Sequence, residues 1–318
     1  MALIVGYGGS RVLGGTLSLG ALVAFLSYIR MFFRPLRDMA EKFNLLQNAL
    51  SSGERIFQLM DTREHLPPPP SNPHHETSLG KVEFRSVSFA YTSKEQVLQD
   101  ISFSLHQGER IAFVGPTGAG KSSLIHLLVR FYDPQQGRIL INGRDIQEWD
   151  VKYLRSRIAL VMQESFLFAR TIRETLLQGN PVLTQKEMER LLEELNLWPM
   201  VHKLEHGLDT VLSGRGASLS SGERQLLGMA RALARNPDIL ILDEATSSID
   251  SETEQSLSRA MQRLQQGRTS ITIAHRLATA RQSDTIYVLH RGRIIESGSH
   301  SQLLTRDGFY ARLHQVQV

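Results

Sequence analysis

Apolar positions along this chain follow three successive patterns. The first is continuous: residues 1–9 are apolar and glycine-rich, and residues 17–29 (LSLGALVAFLSYI) form a run of 13 residues without a charge. A bilayer span needs about 20 apolar residues, so length alone leaves a buried helix or a signal-peptide core open for this run. A signal peptide fits poorly, because no basic segment opens the chain and no small-residue cleavage site follows. Instead the run passes into FFRPLRDMAEKFNLLQNALSSGERIFQLMD, where Phe43, Leu46, Leu50 and Ile56 recur at helical spacing. The pattern predicts one long helix leaving a membrane. Pro35 should kink it. Arg30 and Arg34 should face a bundle interior, a water-filled path or the interface, or snorkel to it.

The second pattern follows a break. Pro67 to Pro70 and the SNPHHETS stretch after them suit neither a helix interior nor a central strand, which predicts a linker over about 62–79. From Val82 the apolar residues alternate. Val82, Phe84, Val87 and Phe89, and then residues 97–105, read as antiparallel strands with a turn at 106–109. The third pattern consists of short apolar runs at 110–114, 158–162, 239–242 and 270–273, spaced by helix-like segments, as strands covered on both faces should be. The expected class is α/β with a small antiparallel β subdomain. The expected division is 1–61 as a membrane helix and its extension, 62–79 as linker, and 80–318 as the α/β domain.

Composition mainly excludes. At 318 residues, 41% hydrophobic and 21% charged, the chain has the make-up of a folded protein with room for two domains. A net charge of +4, from 36 Lys and Arg against 32 Asp and Glu with no basic block, reads as a solvated surface rather than a nucleic-acid stripe. The N-terminal arginines also suit the cytoplasmic side of a membrane. Cysteine is absent, which excludes disulfides, thiolate metal sites and cysteine nucleophiles.

Candidate chemistry concentrates at Gly115, Pro116, Thr117, Gly118, Ala119, Gly120, Lys121 and Ser122, followed by Ser123. This is a P-loop pattern between an apolar strand and the helix-like SSLIHLLVRFY, the context that its mechanism requires. Glycines let backbone N–H groups wrap phosphates, Lys121 should reach the β- and γ-phosphates of ATP, and Ser122 should ligate Mg²⁺. A P-loop also needs a carboxylate on a neighbouring strand, and the run ILILDE supplies Asp243 and Glu244. Asp243 would hold Mg²⁺ through its water shell, and Glu244 would act on the attacking water as general base or orienting group. Two acids ending a strand can also cap a helix, but side chains at the carboxyl ends of parallel strands line the ligand crevice.

Leu219-Ser220-Ser221-Gly222-Glu223, with ARAL close behind it, resembles the LSGGQ signature of ABC ATPases, and DEATSSID resembles their joined Walker B and D-loop. The resemblance covers residues 80–318 densely and in the family's order. The segment before it resembles the last membrane helix of exporters in the multidrug and lipid-flippase subfamily. The fold so implied is a RecA-like P-loop NTPase core with an antiparallel β subdomain and an α-helical signature subdomain at about 164–235, preceded by a long transmembrane and cytoplasmic helix. By the same resemblance Tyr91 matches the A-loop aromatic that stacks on adenine. Gln163 matches the Q-loop residue that senses Mg²⁺ and the attacking water, Asp250 the D-loop residue at the dimer interface, and His275 the switch residue on the γ-phosphate.

The family pairs two such domains head to tail, so Ser220, Ser221, Gly222 and Glu223 would serve the ATP of a partner. The resemblance therefore implies an ATP-hydrolysing half-transporter in the cell membrane, its ATPase domain cytoplasmic and coupled to a transmembrane domain. It implies no nucleic-acid partner and leaves the exported substrate open among drug, lipid and peptide. Six membrane helices precede the ATPase domain in the family, of which this sequence holds the end of the fifth and the sixth, implying a fragment or a truncated frame. Ser221 and Glu223 replace the usual glycine and glutamine, which favours one half of a heterodimer over a homodimer. The alternatives are an importer ATPase subunit and a truncated, non-transporting ATP-binding module.

Overall fold

The computed structural model divides the chain into two units, Met1–His65 and Leu66–Val318, and describes residues 2–62, 78–92, 95–162, 166–212, 219–243, 260–262, 264–274 and 277–317. The expected linker lies mostly outside these residues.

The first unit is a helical pair. α1 (Ala2–Leu13) meets α2 (Leu19–Asp61) where Gly8 leaves no room for a side chain: a Cβ there would sit 2.3 Å from Leu22 Cδ1. Ser18 caps α2, its hydroxyl accepting from Ala21 N at 3.2 Å. Pro35 lies inside α2 without ending it. At 1.5 Å per residue, 43 residues reach about 65 Å, roughly twice a hydrocarbon core. α2 is long and apolar enough to cross a membrane, and Phe25, Met31, Phe32 and Phe33 are all more than half exposed on it. Arg30, Arg34 and Arg37 share one face with Phe33 and Asp38.

The second unit holds two sheets. β1 (Val82–Thr92), β2 (Glu95–Leu105), β4 (Gln136–Ile141) and β5 (Arg144–Asp145) make an antiparallel sheet in the order β2-β1-β4-β5. Val82 and Phe84, and then Val87 and Phe89 past a register shift at residues 85–86, alternate into one core. β3 (Arg110–Val114), β6 (Ile158–Val161), β7 (Ile239–Asp243), β8 (Thr269–Ile273), β9 (Thr285–His290) and β10 (Arg293–Gly298) form the second sheet in the order β10-β9-β3-β8-β7-β6. All of its pairs are parallel except β10 with β9. β8 stands between β3 and β7, so the strand that ends at Asp243 is one removed from the P-loop strand rather than next to it. All five residues of β8 are buried, as a strand with neighbours on both edges and cover on both faces requires.

Helices cover this sheet. α3 (Lys121–Leu128) follows β3, and α4 (Val151–Arg157) leads into β6. α5 (Ile172–Leu177), α6 (Gln185–Glu194), α7 (Trp198–Lys203) and α8 (Ser221–Leu233) make a largely helical layer. Its core joins Ile172, Leu176, Leu192 and Leu227 to Val161 and Leu242 of the sheet. Threonine capping boxes start α5 at Thr171 and α6 at Thr184, which fixes both helices without long-range contacts. α9 (Leu277–Ala280), α10 (His300–Thr305) and α11 (Phe309–Gln317) close the far side, with Tyr310 fully buried.

Candidate functional site

The loop between β3 and α3 is shaped by glycine at points where nothing else fits. Gly115 has φ 150, and a Cβ on it would lie 2.1 Å from Leu289 O. Gly120 has φ 102, and a Cβ on it would lie 2.6 Å from Leu98 Cδ2. Gly118 at φ 80 has open space around it, so its backbone conformation alone calls for glycine there. Gly120 is also the N-cap of α3 and supplies no side-chain acceptor, so the first N–H groups of α3 are left to a ligand. Thr117, Gly118, Gly120, Lys121, Ser122 and Ser123, with Val97 of β2, line a pocket of about 200 Å³ at this point.

Lys121 is the charged centre of the loop. Its side chain is buried and its ammonium donates to Gly115 O at 2.7 Å and Pro116 O at 3.0 Å. Burial pushes its pKa down, and the Asp243 carboxylate pushes it back up. A buried ammonium held largely by carbonyl dipoles is under-compensated, and an anion in the pocket would complete it. Ser122 is exposed beside it and Ser123 is buried. Against the lowering by burial, the same Asp243, the last residue of β7, raises the pKa of His126 as well, so the Asp243 carboxylate lies within electrostatic range of α3 despite the intervening strand.

Tyr91, near the end of β1, reaches this loop across the domain. Its hydroxyl donates to Ser123 Oγ at 3.0 Å and lies 2.9 Å from His126 Nδ1. The residue is 45% exposed, so it is not part of the strand's core face. Phe89, Tyr132 and His126 stand nearly perpendicular to it, with ring centroids 4.8, 5.1 and 6.4 Å away. His126 and Tyr132 were not expected from the sequence. A histidine at the sixth position of an apolar helix and a tyrosine just past its end carry no motif.

The signature segment starts α8. Ser220 is its N-cap in a full capping box: Ser220 Oγ accepts from Glu223 N at 3.2 Å, and the Glu223 carboxylate accepts from Ser220 N at 2.8 Å. Ser220 and Ser221 are exposed and Gly222 is buried. Among the described residues no hydrogen bond joins Ser220 to Glu223 with the P-loop. The P-loop, Tyr91 and Asp243 come together, and the signature residues present themselves outward. Gln163, Glu244, Asp250 and His275 lie outside the described residues.

Comparison with known proteins gives relatives of the chain as a whole. The ABC transporter family pattern matches residues 98–247. The chain is 41% identical over 318 residues to a probable multidrug resistance ABC transporter ATP-binding/permease protein of Bacillus subtilis, covering 100% of this chain and 47% of that one. It is 44% identical over 306 residues to a fatty acid ABC transporter ATP-binding/permease protein of Mycobacterium tuberculosis, covering 96% of this chain and 48% of that one. A solved bacterial Atm1-family ABC exporter with ATP bound superposes with a TM-score of 0.76 at 39% identity, over 95% of this chain and 53% of that one. The chain thus spans about half the length of the curated relatives it matches.

Proposed function

We propose, from the ABC transporter pattern at residues 98–247 and the similarity to ABC exporters, that the chain is part of an ABC transporter and binds and hydrolyses ATP to drive export across a membrane. The observation that carries this reading is the buried Lys121 inside a loop built of glycines, with Asp243 acting on it from the end of β7. That constellation binds a polyphosphate rather than a carboxylate or a single sulfate, because N–H groups, an ammonium and a helix N-terminus converge along one loop.

In this reading Gly115 to Gly120 wrap the β- and γ-phosphates, Lys121 bridges them, Ser123 reaches a phosphate oxygen, and Tyr91 offers its ring to adenine. The Ser122 hydroxyl and the Asp243 carboxylate are hard oxygen donors that fit Mg²⁺, which would neutralise charge on the β- and γ-oxygens when bound. Glu244 holds the attacking water and accepts its proton as the water oxygen bonds to the γ-phosphorus and the bond to the β-γ bridging oxygen breaks. Gln163 and His275 position the water and the γ-phosphate. The products are ADP and inorganic phosphate.

Ser220 to Glu223 serve the ATP on the P-loop of a second half-transporter, with Asp250 at the interface between the two. Glu223 already fills the N–H of Ser220 and places a carboxylate at the start of α8, so it competes with a phosphate there for the positive end of the helix. This supports a heterodimer in which this chain's signature completes the weaker site. α2 is the membrane helix, the second unit lies on the cytoplasmic side, and a drug, lipid or peptide is selected by membrane helices of which α2 is one. The exposed apolar surface of α2 disfavours an importer's separate ATPase subunit.

Light scattering on the full chain carrying Glu244→Gln, in detergent and over a concentration series with and without Mg-ATP, tests this. A chain that binds ATP and stays monomeric supports the heterodimer. An ATP-dependent dimer of this chain alone replaces it with a homodimer, and no ATP binding overturns the function.

A further inference from the structure

Besides Ser123, Tyr91 bonds a side chain that lies outside the P-loop and the other motifs. His126 sits on the second turn of α3, facing the same space as Ser123, and its Nδ1 is 2.9 Å from the Tyr91 hydroxyl. A phenol has one proton and two lone pairs, so it serves both partners when the imidazole carries its proton on Nδ1: it donates to Ser123 Oγ and accepts from His126. Two bonds from one helix fix the tip of the ring. Phe89 and Tyr132 fix its body, each nearly perpendicular to it, at interplanar angles of 82° and 85°. Tyr132 also packs 5.5 Å from Phe89, so the three rings brace one another. Among the described residues no ring lies parallel to Tyr91, yet 45% of the residue remains exposed. A ring held at its tip and by edge contacts, but with no stacking partner, is prepared for a planar ligand.

We infer that His126 is a positioning residue for the base of the nucleotide, holding Tyr91 in the orientation in which it stacks. The inference rests on the ATP reading above and adds to it a side chain that touches no phosphate. Its physical content is preorganisation: with the ring already fixed, binding of the base loses less rotamer freedom. The contribution must therefore depend on the base and be absent for phosphate alone.

Binding of ATP and of inorganic tripolyphosphate to the full chain in detergent separates the two parts. His126→Ala should weaken ATP about three- to tenfold, the range of one lost hydrogen bond, and leave tripolyphosphate unchanged. KM for ATP should rise while kcat holds. His126→Asn, which keeps a hydrogen-bonding atom near the Nδ1 position, should restore most of the ATP affinity. Equal weakening of both probes would reduce His126 to general support of α3 and overturn the inference. So would tighter ATP binding by His126→Ala, since the Tyr91 bond would then be a latch that ATP must break. A wild-type chain that binds neither probe would overturn the nucleotide reading itself, and this inference with it.

Discussion

The two units treat apolar side chains in opposite ways. On β3 the ring of Phe113 is fully buried between Phe103 and Tyr287, while on α2 the ring of Phe25 is 54% exposed. The residue type is the same and the surroundings differ. In the second unit apolar positions alternate or cluster so that the chain covers itself. Along α2, Phe25, Met31, Phe32 and Phe33 point to several sides of one helix that the chain leaves uncovered. Such a surface is stable only against lipid or other helices. The chain therefore carries one region whose apolar side chains are buried within it and one helix whose apolar side chains are exposed and which is long and apolar enough to cross a membrane.

Placing the same charge in both regions tests that difference most severely. Phe113→Asp leaves a cavity and an unpaired carboxylate among Phe103, Tyr287 and the β3–β8 strands. It should cost more than about 4 kcal/mol and abolish cooperative unfolding and nucleotide binding together. Phe25→Asp should cost about 3 kcal/mol of membrane insertion, read as partition into vesicles, and leave ATP affinity unchanged. If Phe25→Asp unfolds the second unit instead, the two regions are not independent.

A milder change bears on the site that faces a partner. Glu223→Gln keeps an acceptor for Ser220 N and removes the negative charge at the start of α8. The melting temperature should fall by no more than about 4 °C, and ATP-dependent association with a second half-transporter should tighten severalfold, because the positive end of the helix is then free for the partner's phosphate. Unchanged association would mean that Glu223 is a cap and nothing more.

Much of this arrangement is legible in the residues, and the exceptions have physical causes. Val82 with Phe84 and Val87 with Phe89 announce β1 because period-two burial needs no knowledge of the rest of the chain, while the register shift between the pairs does not show in their spacing alone. Gly115 and Gly120 are legible because only glycine fits where Leu289 O and Leu98 approach. The insertion of β8 between β3 and β7 was not legible, because strand order is set by the crossovers and not by the strands. Glu223 stands out in the sequence as a departure from the signature, although Ser220 and Glu223 also match a capping box. His126 is not legible in the sequence because its contact with Tyr91 joins positions 35 apart in the chain.

The most direct test of the ATPase assignment is a single-turnover experiment on the full chain, wild type against Glu244→Gln, with its partner half-transporter where association requires one. The account predicts that both bind Mg-ATP equally and that the variant hydrolyses it 100- to 10,000-fold more slowly, about the worth of a general base, so that ATP accumulates uncleaved. Equal rates of hydrolysis would remove Glu244 from the chemistry and contradict the account.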